Sequence, residues 1–275
     1  MRELVTIITP SYNTSKYISE TIKSVISQTY ECWEMIIVDD LSNDNSVEII
    51  KSFKDKRIKL FINETNIGAA MSRNFAIRKS KGKWIAFLDS DDIWHPMKLE
   101  KQINFMNSNN YSFSYTKYIE LDSSSIPNGK CISGPTLITK RRQRNFCYQG
   151  CLTVMYNKEE IGLIQIENLK KNNDYAIWLK IINNSNCYLL PEILAGYRLR
   201  EGSISSSSYI KLIKHHYFLW KNGEKHNGII SLFLTIRNLF FGILKKIYYV
   251  KKTYRGDIRW IETLYDINSD ENCRK

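Results

Sequence analysis

Met35-Ile36-Ile37-Val38-Asp39-Asp40 and Trp84-Ile85-Ala86-Phe87-Leu88-Asp89-Ser90-Asp91-Asp92 decide the fold. Each is a short apolar, β-branched or aromatic run that ends abruptly in acids, which reads as a buried strand followed by a polar turn. Two such strands in one parallel sheet would release their carboxylates together at its carboxyl edge. Open α/β sheets bind ligands there, where strand order reverses. Several acids in one crevice repel each other and any approaching phosphate. A divalent cation removes both problems, and Mg²⁺ is commonly held by one or two carboxylates together with substrate phosphates. The pairing points to a metal–nucleotide site.

Outward from these strands, the first hundred residues alternate strand and helix. Val5–Thr9 is an apolar run stopped by Pro10-Ser11-Tyr12-Asn13, and Ile18, Ile22, Val25 and Ile26 then recur on one helical face. After Val38 come the turn Ser42-Asn43-Asp44-Asn45, a helix carrying Val47, Ile50 and Phe53, and the alternation Ile58, Leu60, Ile62. Asn66-Ile67-Gly68-Ala69-Ala70 opens a helix through about Arg78. Repeated βα units imply a parallel, doubly wound sheet with right-handed crossovers.

Beyond Pro96 the pattern changes. A helix near Met97–Met106 precedes a strand through Tyr111, Phe113 and Tyr115. Residues 122–150, rich in Ser, Pro and Gly with the basic run Lys140-Arg141-Arg142-Gln143-Arg144, read as a long mobile loop. Leu152–Tyr156 is strand-like, Asn173–Ile182 helical, and Tyr188–Arg198 contains another strand.

Composition is that of a globular chain: 275 residues, 43% hydrophobic and 25% charged. Met1-Arg2-Glu3 runs straight into the first strand without a secretory h-region. The six cysteines (Cys32, Cys131, Cys147, Cys151, Cys187, Cys273) form no CxxC pair, as expected of reduced thiols in a cytosolic protein. The net charge of +12 is concentrated late, in Lys211, Lys214, Lys221, Lys225, Lys245, Lys246, Lys251, Lys252, Arg255 and Arg259. Residues 229–250 are strongly apolar but interrupted by Arg237, Lys245 and Lys246. Such a segment suits an amphipathic helix in the interface of an anionic membrane, the alternative being a helix packed on the protein itself. No nucleic-acid module is visible, and the basic residues lack interleaved stacking aromatics, so a nucleic-acid partner is not expected.

Taken in order, these residues resemble the family 2 glycosyltransferases, inverting enzymes of the GT-A fold that use nucleotide sugars. Thr9-Pro10-Ser11-Tyr12-Asn13 resembles the family's opening motif. Val38-Asp39-Asp40-Leu41-Ser42-Asn43-Asp44 resembles its VDDGS-type motif, with Leu41 where glycine is usual. Asn66-Ile67-Gly68 with Arg73-Asn74 is similar to its NxG…RN segment, and Phe87–Asp92 to its DxD metal motif. Asn173-Asp174 stands where Glu-Asp is usual, and Tyr197-Arg198 through Gly202-Ser203-Ile204-Ser205 is similar to the segment that closes the site. Arg200 takes the place of a histidine that often completes the metal site. The likeness is dense over residues 4–96, thinner to about 205, and absent from the tail.

The resemblance implies a GT-A domain over residues 1–205, with a mostly parallel Rossmann-like sheet flanked by helices; residues 206–275, outside it, read from their own charge and apolar pattern as a basic amphipathic helical region. It implies that Thr9, Tyr12, Asp40, Asn66, Arg73 and Asp89 bind the nucleotide sugar. Asp40 would accept from a uracil imide, Tyr12 would offer a surface to the base, and Arg73 would clamp a phosphate. Asp91, with Asp89, would hold Mn²⁺ or Mg²⁺, and Asp174 would be the general base for the acceptor hydroxyl. Asp92 and Trp94 would border the acceptor. Structural roles compete with several of these: a turn for Asp40, a solvated helix arginine for Arg73, a helix cap for Asp174, core packing for Trp94. The expected activity is sugar transfer, from a UDP-sugar by family frequency, to a glycan or lipid-linked acceptor in surface-polysaccharide assembly. The expected place is the cytoplasmic face of the membrane. The competing classes are a non-catalytic membrane-associated nucleotide-sugar or glycan-binding protein, and a nucleotidyltransferase, which the missing Gly-rich phosphate loop disfavours.

Overall fold

Helices cover both faces of the sheet, so the strands that end in acids are buried along their whole length. The computed structural model describes residues 3–200, 209–253 and 260–261. The chain opens with β1 (Val5–Ser11), α1 (Ile18–Ile26), β2 (Trp33–Asp39), α2 (Ser46–Ser52), β3 (Ile58–Ile62), α3 (Ala69–Lys79) and β4 (Trp84–Phe87). There follow β5 (Ile93–Trp94), α4 (Lys98–Asn109), β6 (Phe113–Leu121), β7 (Pro127–Ile132), β8 (Leu137–Ile138) and α5 (Lys140–Gln143). The last described elements are β9 (Met155–Asn157), α6 (Lys158–Ile161), α7 (Asn173–Ile181), β10 (Cys187–Arg198), α8 (Tyr209–Phe218), α9 (Gly228–Tyr249) and β11 (Val250–Lys252).

β3, β2, β1 and β4 lie side by side and parallel, with Ile7 opposite Met35 on one side and Ala86 on the other. Side chains alternate between faces along each strand. Val5, Ile7, Met35 and Ile37 meet Ile18, Ile22 and Val25 of α1, whereas Ile8, Ile36, Val38 and Phe87 meet Ala76 of α3 and Trp178 of α7. Past β4 the sheet becomes mixed. β9 is antiparallel to β4 and β6, β7 is antiparallel to β6, and β10 runs parallel to β6. The first helix thus buries Ile18, Ile22 and Val25 of the face predicted from its spacing, whereas Ile26, at its last position, is exposed and Thr21 and Ser24 are buried instead.

Residues 122–150 are more ordered than a mobile loop. They supply β7, β8 and α5, and β8 pairs with Cys187 and Tyr188 of β10. β7 is thinly covered, with only Cys131 and Ile132 buried, so its sequence lacks the apolar alternation by which strands are recognised. β11 extends the same sheet through β7, pairing Val250 with Ile132. Residues from the 206–275 region therefore pack on and pair with the first part of the chain. The segment Gly202-Ser203-Ile204-Ser205, the boundary at 205/206, and Arg255, Arg259 and Cys273 lie outside the described residues.

Lys98, at the start of α4, is wholly buried. Its Nζ donates to Gln102 Oε1 at 2.6 Å and stands 4.3 Å from the centre of the Trp94 ring. Burial without a carboxylate pushes its pKa down to about 7. In the unfolded chain the amine keeps its proton to about pH 10.4. Between these values folding expels a proton, so this group's contribution to stability rises with pH. Lys98→Met, which keeps length and volume, should therefore flatten the rise in thermal midpoint between pH 7 and 10. Parallel pH curves for the two proteins would show that Lys98 stays charged inside.

Candidate active site

The strand order reverses between β2–β1 and β4, and a crevice of about 1100 Å³ opens over the carboxyl ends of these strands. Its lining includes Tyr12, Asp40, Asn66, Arg73, Asp89, Asp91 and Asp174. Residues more than a hundred positions apart are brought together because every βα unit returns the chain to the same edge.

At the β1–β2 end the two acids of the first cluster divide their work. Asp39 is fully buried and closes a turn, its carboxylate accepting from the backbone N–H and hydroxyl of Ser42 at 2.8 and 2.7 Å. Asp40 accepts from the backbone N–H of Ile67 and Gly68 at 2.9 and 2.7 Å and from Asn63 Nδ2 at 2.8 Å. Asn66 donates to the Asp40 carbonyl at 3.1 Å. Asp40 thus holds the loop that begins α3 against the end of β2, and Gly68, at φ +86°, is where that loop needs glycine. The turn reading for Asp40 is therefore real, and its carboxylate also lines the crevice. Tyr12, 46% exposed, stands on the neighbouring loop, which Asn13, Ser42, Asp44 and Ser46 lace to the β2 turn.

Arg73 is not a solvated helix arginine. It is 5% exposed and reaches across the crevice floor to Asp89 on one side and Asn173 Oδ1 on the other. Burial opposes its charge, but the neighbouring carboxylates of Asp89 and Asp174 outweigh that and hold it firmly protonated. Its neighbour Asn74 pins residue 166 by two backbone hydrogen bonds of 2.8 and 3.0 Å. In the second cluster, burial raises the Asp91 carboxyl, Arg200 pulls it back and Asp89 raises it again. The Arg200 Nε lies 2.6 Å from Asp91 Oδ2. Asp92 is buried, accepts from the Arg198 backbone N–H at 2.9 Å, and is driven well above the usual range by burial and by Asp91 and Asp89. Asp174 lies in the first turn of α7, where its Oδ1 accepts from Tyr175 N at 2.8 Å. Burial raises its carboxyl and Arg73 opposes that rise.

Two expected contacts lie elsewhere. Trp94 is fully buried in the core under α1, its Nε1 donating to the Leu152 carbonyl at 2.7 Å, and it does not line the crevice. Thr9 is likewise fully buried within β1 and does not reach the crevice lining, which begins at Pro10. Conversely, Cys151, His215 and Lys245 line the crevice without any motif that announces them. Cys151 Sγ is 4.0 Å from Asp89 Oδ1. The only advance signal for Lys245 was its interruption of an apolar run. Among the described residues no three His, Cys, Asp or Glu side chains form a metal-binding group.

Known proteins share this chain's sequence pattern and fold. The family model described as glycosyl transferase family 2 matches residues 6–161, and the chain belongs to that family. It is 40% identical over 227 residues to TuaG of Bacillus subtilis (strain 168), named for teichuronic acid biosynthesis, covering 82% of this chain and 90% of that one. It is 39% identical over 244 residues to WfgD of Escherichia coli, a UDP-Glc:α-D-GlcNAc-diphosphoundecaprenol β-1,3-glucosyltransferase, covering 88% and 94%. S. aureus TarS 1–349, solved with UDP-GlcNAc, superposes with a TM-score of 0.65 at 22% identity over 86% of this chain and 71% of that one. The fold is that of the GT-A enzymes.

Leu41, the residue standing in the glycine position of the first motif, has φ +64° and is 48% exposed. A left-handed side-chain-bearing residue costs roughly 1–2 kcal/mol, partly offset in any glycine variant by the greater freedom of the unfolded chain. Leu41→Gly should melt at least as high as the parent, by up to a few degrees, and Leu41→Val lower than both. A lower midpoint for the glycine variant would mean that Leu41 packing outweighs its backbone strain.

Proposed function

We propose that this chain is an inverting glycosyltransferase that moves a sugar from a UDP-sugar to a hydroxyl of a lipid-linked saccharide during cell-surface polysaccharide assembly. One observation carries the reading: a half-buried carboxylate (Asp174), a buried guanidinium (Arg73) and the acids of two strand ends share one crevice at the switch point. Transfer needs a held nucleotide, a neutralised diphosphate and a base for the acceptor. Tyr12, Asp40 and Asn66 form the nucleotide end, and Arg73 and Asp89 face the diphosphate. Asp174 takes the proton of the acceptor hydroxyl as its oxygen attacks the anomeric carbon opposite the leaving group. Asp92 supports the floor beneath the acceptor. TarS, solved with UDP-GlcNAc, and WfgD, a UDP-Glc-dependent glucosyltransferase, favour a UDP donor.

Asp89 and Asp91 fit a divalent cation, Mn²⁺ or Mg²⁺, shared with the diphosphate. Two carboxylates on one turn raise the energy of each other's charged form, and Asp91 is elevated by burial and Asp89. Substrate phosphates and water would supply the remaining ligands, as is usual for Mg²⁺. When bound, the cation neutralises charge on the leaving diphosphate. Arg200 holds Asp91 through the ion pair described above and, once released, is placed to meet a phosphate oxygen.

The second half of the reading concerns α9. Its buried side chains are Ser231, Leu234, Thr235 and Asn238, whereas Ile229, Phe233, Ile236, Phe240, Ile243 and Ile247 are each more than half exposed. The helix is 22 residues with a mean hydropathy of 1.5 in its most apolar window. Asn238 fixes the inner face by donating to the carbonyls of Arg144 and Asn145 and accepting from Trp220 Nε1 at 2.8 Å. An apolar stripe outward, flanked by Lys246, Lys251 and Lys252, suits a helix lying in an anionic membrane interface at the cytoplasmic face.

Incubation with UDP-, GDP- and dTDP-sugars, with and without Mn²⁺, should give metal-dependent release of UDP. Asp91→Asn and Asp174→Asn should each lower it by about 10²–10³-fold. Because burial raises the Asp174 carboxyl, kcat/KM should fall on the acid side at a pH above that of an ordinary aspartate. In Arg73→Gln, which removes the opposing charge, that limb should move to higher pH. Release from no donor would favour a binding protein instead, and an unmoved limb would remove Asp174 as the base. Binding to anionic vesicles should weaken in Phe233→Glu/Phe240→Glu and with salt, while binding to DNA at the same ionic strength stays absent. Equal vesicle binding by the variant would exclude α9 as the contact.

A further inference from the structure

We propose that Lys245, assisted by Lys246, binds the diphosphate of a lipid-diphosphate acceptor, and that α9 thereby joins the lipid surface to the catalytic crevice. The inference rests on the acceptor reading above and assigns its anion site.

Lys245 and Lys246 belong to the crevice lining although they lie on the apolar helix. Lys245 Nζ is 3.4 Å from the Cys147 carbonyl and 5.4 Å from the centre of the Phe146 ring. Among the described residues no carboxylate forms an ion pair with it. An ammonium left in a partly dry site without an anion is unfavourable, and burial lowers its pKa, while Cys147, Asp174 and Glu120 pull it back. An anionic ligand would relieve this.

Helical geometry gives the anion a route. At about 100° per residue, Lys246 lies a quarter-turn round from Lys245, and Ile243 and Ile247 lie nearly opposite it. Ile229, Ile236 and Phe240 fall on that same outer side. Passing round the helix therefore leads from the crevice (Lys245), over its rim (Lys246), to the exposed apolar stripe. A sugar–diphosphate–lipid molecule has the same order: hydroxyl-bearing ring toward Asp174, two phosphates at the lysines, chain on the stripe. Arg73 and Arg200, which pair with Asp89 and Asp91 at the other side of the crevice, are the cations assigned above to the donor's diphosphate. The two sides of the reaction thus use different cations, with Asp174 close enough to feel both Arg73 and Lys245.

The test uses two acceptors, N-acetylglucosaminyl decyl diphosphate and N-acetylglucosaminyl decyl glycoside, which lacks the phosphates. Lys245→Gln/Lys246→Gln should raise the acceptor KM at least about tenfold for the diphosphate, while leaving the glycoside KM and acceptor-free donor hydrolysis unchanged. Lys245→Arg should retain most of the affinity. Sugar-free decyl diphosphate, titrated with UDP saturating the donor side, should bind the parent and bind the double variant at least about tenfold more weakly. An unaltered thermal midpoint establishes that the variant is folded. Equal losses on both acceptors, or undiminished binding of decyl diphosphate, would overturn the anion site. If the parent binds decyl diphosphate through the lysines yet transfers sugar to neither acceptor, the anion site stands and the acceptor reading falls.

Discussion

Gathering carboxylates at one sheet edge is the constraint on which the rest of this structure depends. Asp40, Asp89, Asp91, Asp92 and Asp174 all border one crevice. In a medium of low effective dielectric, such charges are mutually costly unless each has a partner. The chain meets each one differently. Backbone N–H groups before α3 take Asp40, Arg73 takes Asp89, Arg200 takes Asp91, and the Arg198 backbone takes one oxygen of Asp92. Asp174 receives a neighbouring backbone N–H and the field of Arg73, and burial still leaves its carboxyl raised, as the proposed role of proton acceptor requires.

Arg198 shows how far the compensation extends. Its side chain is buried, donates to Glu20 and Ser125 at 2.6 Å each, and lies 4.6 Å from the centre of the Tyr17 ring. Its backbone simultaneously holds Asp92, and Asp92's own carbonyl accepts from Thr21 at 2.8 Å. α1, the second acid turn and the end of β10 are thereby locked together. A charge in the crevice is balanced by contacts that run to the far side of α1, which is why rigidity there matters to the site.

How much of this is legible in the chain depends on the range of the interaction. The strands announce themselves because a run buried on both faces must be continuously apolar, and the acids announce themselves by ending those runs. The turn at Leu41 is visible only as a departure from the family pattern, and its positive φ explains why glycine is usual there. Thr9 is adjacent in sequence to Pro10, and Trp94 lies two residues beyond Asp92, yet both are buried in the core and neither lines the crevice. Sequence proximity to a motif does not fix which side of a strand a residue occupies when both sides are buried. Strand β7 escapes notice for the opposite reason, since it buries too little to show a period. Arg73's role needed Asn173, one hundred positions away, to be seen.

The tail presented two readings, membrane and self-packing; α9 packs on the protein, but with its polarity reversed, so that an apolar face is left outward. In an ordinary surface helix the apolar stripe faces the core and the polar side faces water. Here Ser231, Thr235 and Asn238 face inward, where Asn238 makes its hydrogen bonds, and the isoleucines and phenylalanines face outward. Periodicity alone cannot tell these orientations apart, because it reports that two faces differ and not which one the protein covers. The inward polar face is expensive unless bonded, so its bonding to residues 144–145 and to Trp220 fixes the helix's rotation. Once that rotation is fixed, Lys245 must point at the crevice and the stripe must point away from it. The same hydrogen bonds that dock the helix therefore determine both which apolar face it leaves exposed and which lysine it turns to the crevice.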